Sequence, residues 1–188
     1  MSDINFLKNY FENLKGLLNN EEYLDNLVKV KKILIETNSK GKKTMIFGNG
    51  GSAAISSHFS VDLTKNARVR CTNYNESDLL TCFANDFGYE KWVEKTINFY
   101  GDEGDSLILI SAGGNSPNMI NGAEEARRKK ISKIITFTGN DKDNKLKKLG
   151  DINFWVDSKA YNHIENIHQI LLLSLVDLII GKTEYPPN

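Results

Sequence analysis

Two glycine- and serine-rich segments of this sequence have the residue types that bind phosphate. The first, "GNGGS", runs from Gly48 to Ser52, and the second, "SAGGNS", runs from Ser111 to Ser116. Each follows a short apolar run and precedes a segment of helical composition, and Pro117 stands where a first helical residue is expected. Backbone N–H groups at a helix N-terminus, together with serine hydroxyls, bind a phosphate monoester without requiring a metal ion. We therefore expect both segments to bind the phosphate group of a small molecule.

Two other kinds of phosphate-binding loop fit the first segment less well. Gly48, Gly50 and Ala53 satisfy the dinucleotide pattern G-x-G-x-x-G/A, which needs a carboxylate about twenty residues further on. Thr72 and Asn73 stand there instead. The G-x-x-x-x-G-K-[ST] loop of nucleoside triphosphate-binding proteins does not occur in the sequence. A glycine cluster can also be only a tight turn, but its repetition in the second segment favours a shared binding role.

Acid–base chemistry would need carboxylates or imidazoles near these loops. The only histidines in the sequence are His58, His163 and His168. His58 and Asp62 are four residues apart in the helix expected after the first loop, so their side chains lie on one face. Glu165 stands three residues before His168 in an apolar C-terminal segment. A histidine beside apolar residues is more often a packing residue than a ligand, which is the interpretation we favour for His163.

From residue 43 onward, short apolar runs alternate with longer amphipathic segments. The predicted strands are 44–47, 69–72, 106–110, 133–137 and 152–156. The predicted helices are 52–65, 90–100, 117–130, 142–149 and 161–180. This alternation predicts an α/β fold with a doubly wound, mainly parallel five-stranded sheet. Ligands of such sheets bind beyond the carboxyl ends of the strands, where both glycine-rich loops are expected.

The first forty residues have apolar positions at helical spacing and predict two helices joined near residues 19–21. No strand precedes these helices, so they cannot be a crossover of the sheet, and a second subunit is one partner for their apolar faces. We predict a single domain over residues 1–188. In it, residues 1–40 form a helical pair for oligomerisation, and residues 43–180 form an α/β core that binds a phosphorylated small molecule.

Composition narrows the classes of partner. The 188 residues include 24 Lys plus Arg and 24 Asp plus Glu, and their scattered distribution provides no basic face for nucleic acid. No apolar run reaches the roughly 18 residues of a membrane span and no signal peptide is evident, so we expect a cytoplasmic protein without a membrane partner. Cys71 and Cys82 are isolated, which favours reduced, half-buried cysteines, and residues 182–188 predict a frayed tail.

Four motifs together resemble the sugar isomerase (SIS) family, and within it the phosphoheptose isomerases. They are "GNGGSA" with a histidine six residues beyond its serine, "CFANDFGYE", "ISAGGNS" and "IENIHQ", in this order and spacing. The resemblance extends from about residue 43 to residue 180 and includes the N-terminal helical pair. It implies an aldose–ketose isomerase that interconverts sedoheptulose 7-phosphate and D-glycero-D-manno-heptose 7-phosphate for bacterial surface heptose. It also implies active sites between the subunits of a homotetramer, often with a zinc ion.

The resemblance further implies roles for individual residues. Asp62 and Glu165 are implied to be catalytic, and His58 joins them as a metal ligand. The implied substrate-binding residues are Asn49, Gly50, Gly51, Ser52, Asn85, Asp86, Ser111, Ala112, Gly113, Ser116 and Glu165.

The sequence departs from the family pattern at several of these positions. Asp62 replaces the family's catalytic glutamate, Glu165 replaces a glutamine, and Leu173 stands where the family has a second catalytic histidine. Ala112 and Gly113 replace hydroxyl-bearing residues of the second loop. Leucine neither binds zinc nor transfers a proton, so these departures imply weak or absent zinc. A catalytically impaired relative that binds a phosphosugar or a protein is therefore the alternative hypothesis.

Overall fold

The computed structural model describes residues 2–186 of the chain, which form eight α-helices, one 3-10 turn and five strands. The helices are α1 (Asp3–Leu18), α2 (Glu21–Ser39), α3 (Gly51–Lys65), α4 (Ser77–Phe87), α5 (Trp92–Tyr100), α6 (Pro117–Arg128), α7 (Lys145–Leu149) and α8 (Tyr161–Ile180), with the 3-10 turn at Tyr89–Lys91. The strands are β1 (Thr44–Phe47), β2 (Cys71–Thr72), β3 (Ser106–Ser111), β4 (Lys133–Gly139) and β5 (Ile152–Val156).

The five strands form one sheet in the order β2-β1-β3-β4-β5, and every neighbouring pair is parallel. The chain runs from β1 to β2 on one side and then returns to place β3 on the other side of β1. Such a reversal leaves a crevice between the connections that follow β1 and β3, at the carboxyl ends of the strands. The predicted doubly wound, five-stranded parallel sheet is thus confirmed.

Both faces of the sheet are covered, because alternate strand residues point to opposite sides. Ile46, Ile108 and Ile135 join a core with α2, α3 and α8. Met45 and Leu107 join a second core with α5, α6 and α7. Full burial of one such side chain contributes roughly 1.5–3 kcal/mol relative to exposure, so both layers stabilise the strand ends that carry the loops.

Among the described residues, α8 is the one helix long and apolar enough to cross a membrane by length and composition alone. Its buried side includes Ile164, Ile167, Leu172 and Leu175, which belong to the core shared with α2 and α3. The helix also contacts β4 and β5. A buried core helix of a globular protein therefore accounts for this composition.

The N-terminal helices leave apolar side chains on the surface. No residue of α1 is buried, although its Tyr10 ring lies against His163 of α8 with ring centroids 4.3 Å apart. The exposed apolar residues of these two helices are Ile4, Phe6, Leu7 and Phe11 on α1, and Leu24, Val28 and Ile35 on α2. Those of α2 recur at a spacing that keeps them on one face. A single chain therefore does not cover the apolar faces of its N-terminal helices.

Several elements differ from the prediction. The sequence does not predict α4, whose Leu79, Leu80 and Phe83 pack against the second core. β2 has two residues rather than four, because the Val69 N–H donates to the Leu63 carbonyl at 3.1 Å after a left-handed residue at Arg68.

The remaining differences concern the bounds of three helices. The helix predicted at 90–100 begins as the 3-10 turn, and its α-helical part starts at Trp92. α7 starts at Lys145 rather than at residue 142, because the Asn144 side chain accepts a hydrogen bond from the Lys147 N–H and caps it. Helix α6 ends at Arg128, two residues earlier than predicted.

The C-terminal tail and the cysteines also depart from expectation. The Tyr185 hydroxyl donates to Asp177 Oδ1 at 3.1 Å, so the tail contacts α8 at this residue instead of fraying. Residues 187 and 188 lie outside the described part of the chain. Cys71 is buried and Cys82 is exposed, so neither is half-buried, and both are free thiols.

Candidate active site at the switch point of the sheet

A pocket of about 440 Å³ lies at the carboxyl ends of β1 and β3, where the strand order reverses. Three lining residues lie outside the predicted loops and site residues: Ile110, Asn140 and Tyr161. Asn115 belongs to the predicted second loop, although no individual role was predicted for it. The predicted site residues that line the pocket are Asn49, Ser52, Ser111, Ala112, Gly113, Ser116 and Glu165.

The first loop turns sharply from β1 into α3. Gly48 has no room for a side chain, since a Cβ atom there would lie 2.4 Å from the carbonyl carbon and oxygen of Ser52. Gly50 has a φ of 55°, a left-handed conformation that favours glycine, and it is the N-cap of α3. No side chain caps this helix, and its first turn has no acidic residue. No residue of the first turn therefore neutralises the positive end of the α3 dipole.

The second loop brings two hydroxyls together at the start of α6. The Oγ atoms of Ser111 and Ser116 are 3.0 Å apart, and Ser111 is 5% exposed. Ser116 is the N-cap of α6, Pro117 follows it, and no side chain caps the helix. Two hydroxyls beside an uncapped helix N-terminus form an arrangement suited to phosphate oxygens.

Helix α7 holds the second loop in place. The Leu146 N–H donates to the Gly114 carbonyl at 2.9 Å, and the Lys145 N–H donates to Asn115 Oδ1 at 3.1 Å. Gly114 has a φ of 66°, and a Cβ atom there would lie 2.1 Å from Cγ of Asn144, which is 1% exposed. These contacts favour one conformation of the loop, and a preformed loop lowers the entropy cost of binding.

Among the lining residues of the pocket, Glu165 has the only charged side chain. Its carboxylate lies directly over Gly51, where a Cβ atom would be 2.4 Å from Oε2. Gly51 is the first residue of α3, so the carboxylate is near the positive end of the helix dipole. Like charges repel, so a phosphate group should bind near Ser111 and Ser116, which we call the serine side of the pocket. The rest of the ligand should then face Glu165.

His58 and Asp62 do not line this pocket. His58 Nε2 is 3.2 Å from Asp62 Oδ2, which agrees with the predicted shared face of α3. Asn66 Nδ2 donates to Asp62 Oδ1 at 3.2 Å. Asp62 follows Gly51 by three helical turns, or about 16 Å along the helix axis. The predicted catalytic carboxylates, Asp62 and Glu165, are thus not brought together at one pocket of a single chain.

Asn85 and Asp86 also lie outside the pocket. Both are exposed on α4, and Asn85 Nδ2 donates to Asp86 Oδ1 at 2.9 Å. Gly50 and Gly51 adjoin the pocket through the first loop but are not among its lining residues.

The predicted metal ligands do not fit a metal ion within one chain. In residues 2–186, no group of three or more His, Cys, Asp or Glu side chains is close enough together to hold a metal ion. His58 and Asp62 form a pair, whereas Glu165 lies over Gly51. A zinc site made of these three residues would require two subunits, and zinc binding stays a prediction.

The other two histidines are structural. His168 is fully buried, and its Nε2 is 3.1 Å from the Thr138 carbonyl oxygen. Burial lowers the pKa of His168 to about 4, and the hydrogen bond with Thr138 only partly opposes this shift. His163 is 8% exposed and lies against Tyr10, in agreement with the packing role favoured for it.

Asn140 and Tyr161 show what the sequence reasoning missed. Asn140 directly follows β4 and has a φ of 57°, so the rule that ligands bind at the carboxyl ends of strands could have indicated it. Tyr161 is the first residue of α8, and no local pattern places that helix start beside the loops after β1 and β3.

Comparison with known proteins identifies the family. The SIS domain family model matches residues 9–139 of the chain. A phosphoheptose isomerase of Fusobacterium nucleatum subsp. nucleatum is 34% identical over 193 residues, covering 100% of this chain and 98% of the relative. A phosphoheptose isomerase of Buchnera aphidicola is 34% identical over 175 residues, covering 90% of this chain and 89% of the relative.

This chain belongs to the phosphoheptose isomerase family of SIS-domain proteins. The predicted resemblance is thereby confirmed.

Solved phosphoheptose isomerases share the fold. The structure from Francisella tularensis superposes with a TM-score of 0.85 at 24% identity, covering 97% of this chain and 100% of that chain. The structure from Neisseria gonorrhoeae has a TM-score of 0.87 at 24% identity, covering 95% of this chain and 99% of that chain. The SIS fold therefore extends over nearly the whole length of this family member.

Proposed function

We propose that the protein is an aldose–ketose isomerase that interconverts sedoheptulose 7-phosphate and D-glycero-D-manno-heptose 7-phosphate. Its membership of the phosphoheptose isomerase family over almost its full length carries this proposal. The reaction would take place in the cytoplasm and supply heptose for bacterial surface polysaccharide, either lipopolysaccharide or capsule.

The pocket supports a phosphorylated ligand. The uncapped N-terminus of α6 lies at the serine side of the pocket, and that of α3 lies where the Glu165 carboxylate packs over Gly51. The Ser111 and Ser116 hydroxyls stand beside the first of these. Since Glu165 is the only charged side chain at the pocket, phosphate would be bound by N–H groups, hydroxyls and helix dipoles rather than by a lysine or arginine.

Isomerisation requires one proton to move between two neighbouring carbons of the sugar, and a second to move between their oxygens. A base takes the proton from C1 of the ketose to form an enediol, and the proton returns to C2, while the hydroxyl proton moves from O1 to O2. No atom is gained or lost in these steps. We assign Glu165 to this work because its carboxylate faces the pocket, and Asp62 as the second carboxylate.

The distance of Asp62 from the pocket supports an active site shared between subunits. Asp62 lies about three helical turns and His58 about two helical turns from Gly51, and Asn85 and Asp86 lie on α4 outside the pocket. The exposed apolar faces of α1 and α2 provide surface for association with further copies. We therefore propose a homotetramer in which these residues approach the pocket of a neighbouring subunit.

Light scattering tests the assembly. We expect the wild type to have four times the 21.2 kDa mass of one chain. Phe11, which is 60% exposed on α1, is the first target, and Phe11→Asp should yield smaller species. A wild type that remains a monomer at micromolar concentration would contradict the proposal.

The alternative function is binding of a phosphosugar or a protein without catalysis. Leu173, which is half-buried on α8, favours it, because the family resemblance implies a catalytic histidine there. General acid–base assistance contributes roughly 10²–10⁴-fold to such a reaction, so its loss would leave slow turnover.

Incubation with sedoheptulose 7-phosphate, followed by NMR detection of the aldose, tests the proposed function. We expect turnover in the wild type, its loss in Glu165→Gln and Asp62→Asn, and unchanged turnover in Glu124→Gln, which alters an exposed glutamate outside the pocket. Metal analysis of the purified protein measures zinc in the same samples.

Two outcomes would separate the hypotheses. Binding of the sugar phosphate without turnover would favour the alternative function. If the protein is instead an impaired isomerase, Asp62→Glu combined with Leu173→His should raise turnover, because these changes supply a longer base and a second proton donor. A double variant that folds and binds the sugar phosphate but stays inactive would also favour the alternative function.

A further inference from the structure

Asn49 of the first loop lines the pocket, and two residues outside its lining hold the Asn49 amide. Asn49 Nδ2 donates to Asn118 Oδ1 at 3.1 Å, and Asn118 Nδ2 donates to Asn49 Oδ1 at 2.8 Å. The Tyr89 hydroxyl donates to the same Asn49 Oδ1 at 3.0 Å. Because Asn118 is the second residue of α6, this amide pair links the first loop to the helix that follows the second loop.

The hydrogen bonds that Asn49 already makes leave one group of its side chain available to a ligand. An amide side chain has two acceptor lone pairs on its oxygen and two N–H donors on its nitrogen. Asn118 and Tyr89 occupy both lone pairs of Asn49 Oδ1, and Asn118 occupies one of the two Nδ2 hydrogens. A single N–H donor remains.

We propose that Tyr89 and Asn118 are positioning residues that hold Asn49 as a hydrogen-bond donor to an oxygen of the bound sugar phosphate. This inference rests on the proposed function, because it requires a phosphorylated ligand in the pocket. It adds a specificity rule, which is that the ligand must present an acceptor oxygen to Asn49. It also gives a role to Tyr89, which lies in the "GYE" sequence after α4, 40 positions from Asn49 in the chain.

The structural setting of the two positioning residues differs. Asn118 is 2% exposed, so its replacement would also disturb the packing of α6. Tyr89 is 55% exposed and begins the 3-10 turn, which is tied to α6 by a 2.8 Å hydrogen bond from Asn121 Nδ2 to the Glu90 carbonyl. Removal of the Tyr89 hydroxyl therefore changes the Asn49 amide while the turn keeps its attachment.

The test uses Tyr89→Phe, which removes only the hydroxyl. Without that donor, one lone pair of Asn49 Oδ1 is free and the amide is held by Asn118 alone. We expect the dissociation constant for inorganic phosphate or sedoheptulose 7-phosphate to rise about 3- to 10-fold. KM should rise by a similar factor with kcat unchanged, since the lost interaction positions the bound ligand before the reaction. The thermal unfolding temperature should stay the same.

Two further variants separate positioning from a general structural effect. Tyr100→Phe removes a hydroxyl from another surface tyrosine, 47% exposed and outside the pocket, and should leave binding unchanged. In an Asn49→Ala background, Tyr89→Phe should have no further effect on binding, because the group that it positions is already missing.

The outcomes distinguish this inference from the proposed function. If the wild type binds sedoheptulose 7-phosphate and Tyr89→Phe binds it equally well, the positioning role is wrong while the proposed function stands. An additional loss in the Asn49→Ala background would also overturn the positioning role. If neither inorganic phosphate nor sedoheptulose 7-phosphate binds the wild type, both proposals fail.

Discussion

Because Glu165 packs over Gly51, a substitution at Gly51 can move the proposed catalytic carboxylate while residue 165 remains a glutamate. In Gly51→Ala the new Cβ atom would lie 2.4 Å from Glu165 Oε2, 2.8 Å from Cδ and 2.9 Å from Oε1. Ordinary van der Waals contact begins at 3.4 Å, so the carboxylate must move by about 1 Å. Gly51 is not among the residues with positive φ, so alanine introduces no backbone strain.

The expected effects on stability and on activity differ in size. Alanine is a better helix former than glycine by up to about 1 kcal/mol. A strained Glu165 rotamer would cost about 0.5–1.5 kcal/mol, so the free energy of unfolding should change by no more than about 1 kcal/mol. A displacement of 1 Å at the reacting centre can lower the rate about 10²-fold. We therefore expect a folded protein with strongly reduced turnover.

The measurements are kcat/KM for sedoheptulose 7-phosphate and urea unfolding. Gly16→Ala is the matched control, because a Cβ atom there meets no atom within 4 Å and the residue lies on the side of α1 opposite Ile4, Leu7 and Phe11. The control should unfold at the same or a higher urea concentration and keep full activity. Full activity of Gly51→Ala would refute the assigned role of the Glu165 carboxylate. A loss of more than about 2 kcal/mol in stability would refute the reasoning that the carboxylate moves freely.

Two further predictions concern the buried titratable groups Asp105 and His168, away from the pocket, and an exposed ion pair serves as the control for Asp105. Asp105 is fully buried, is 2.6 Å from Lys43 Nζ, and accepts N–H hydrogen bonds from Lys43 and Asp102, so Asp105→Asn should lower the free energy of unfolding in urea by about 2–4 kcal/mol. Glu36→Gln, which removes an exposed ion pair, should leave the free energy of unfolding nearly unchanged. The pKa of His168 is about 4 in the folded protein and 6.5 when unfolded, so the unfolded state binds more protons as the pH falls between these values. Stability should drop by about 2 kcal/mol between pH 7 and pH 5, and a His168→Gln variant that kept the same pH dependence would contradict this assignment.

The sheet and its two phosphate loops could be predicted because their patterns are local. Short apolar runs, glycines and a proline at a helix start identify β1, β3 and the helices after them, and parallel strands place their carboxyl ends at one edge. Helix α4 was missed even though its "CFANDFGYE" motif supports the family resemblance. Its apolar residues, Leu79, Leu80 and Phe83, are only partly buried, and they pack against the second core rather than against the sheet itself.

Which side chains come together in the site could be predicted only in part. The sequence alone determined which residues stand on the phosphate loops, since loop position follows directly from the strand and helix that flank it. Tertiary structure alone decided that Glu165 lies over Gly51, that Asn118 and Tyr89 hold Asn49, and that Asp62 lies outside the pocket of its own chain. The contacts of Glu165 and Asn49 join residues 40 or more positions apart, and the position of Asp62 depends on how far α3 extends from the loop. Their distances are fixed by the packing of α3, α6 and α8 against the sheet, which no local pattern of residue types encodes.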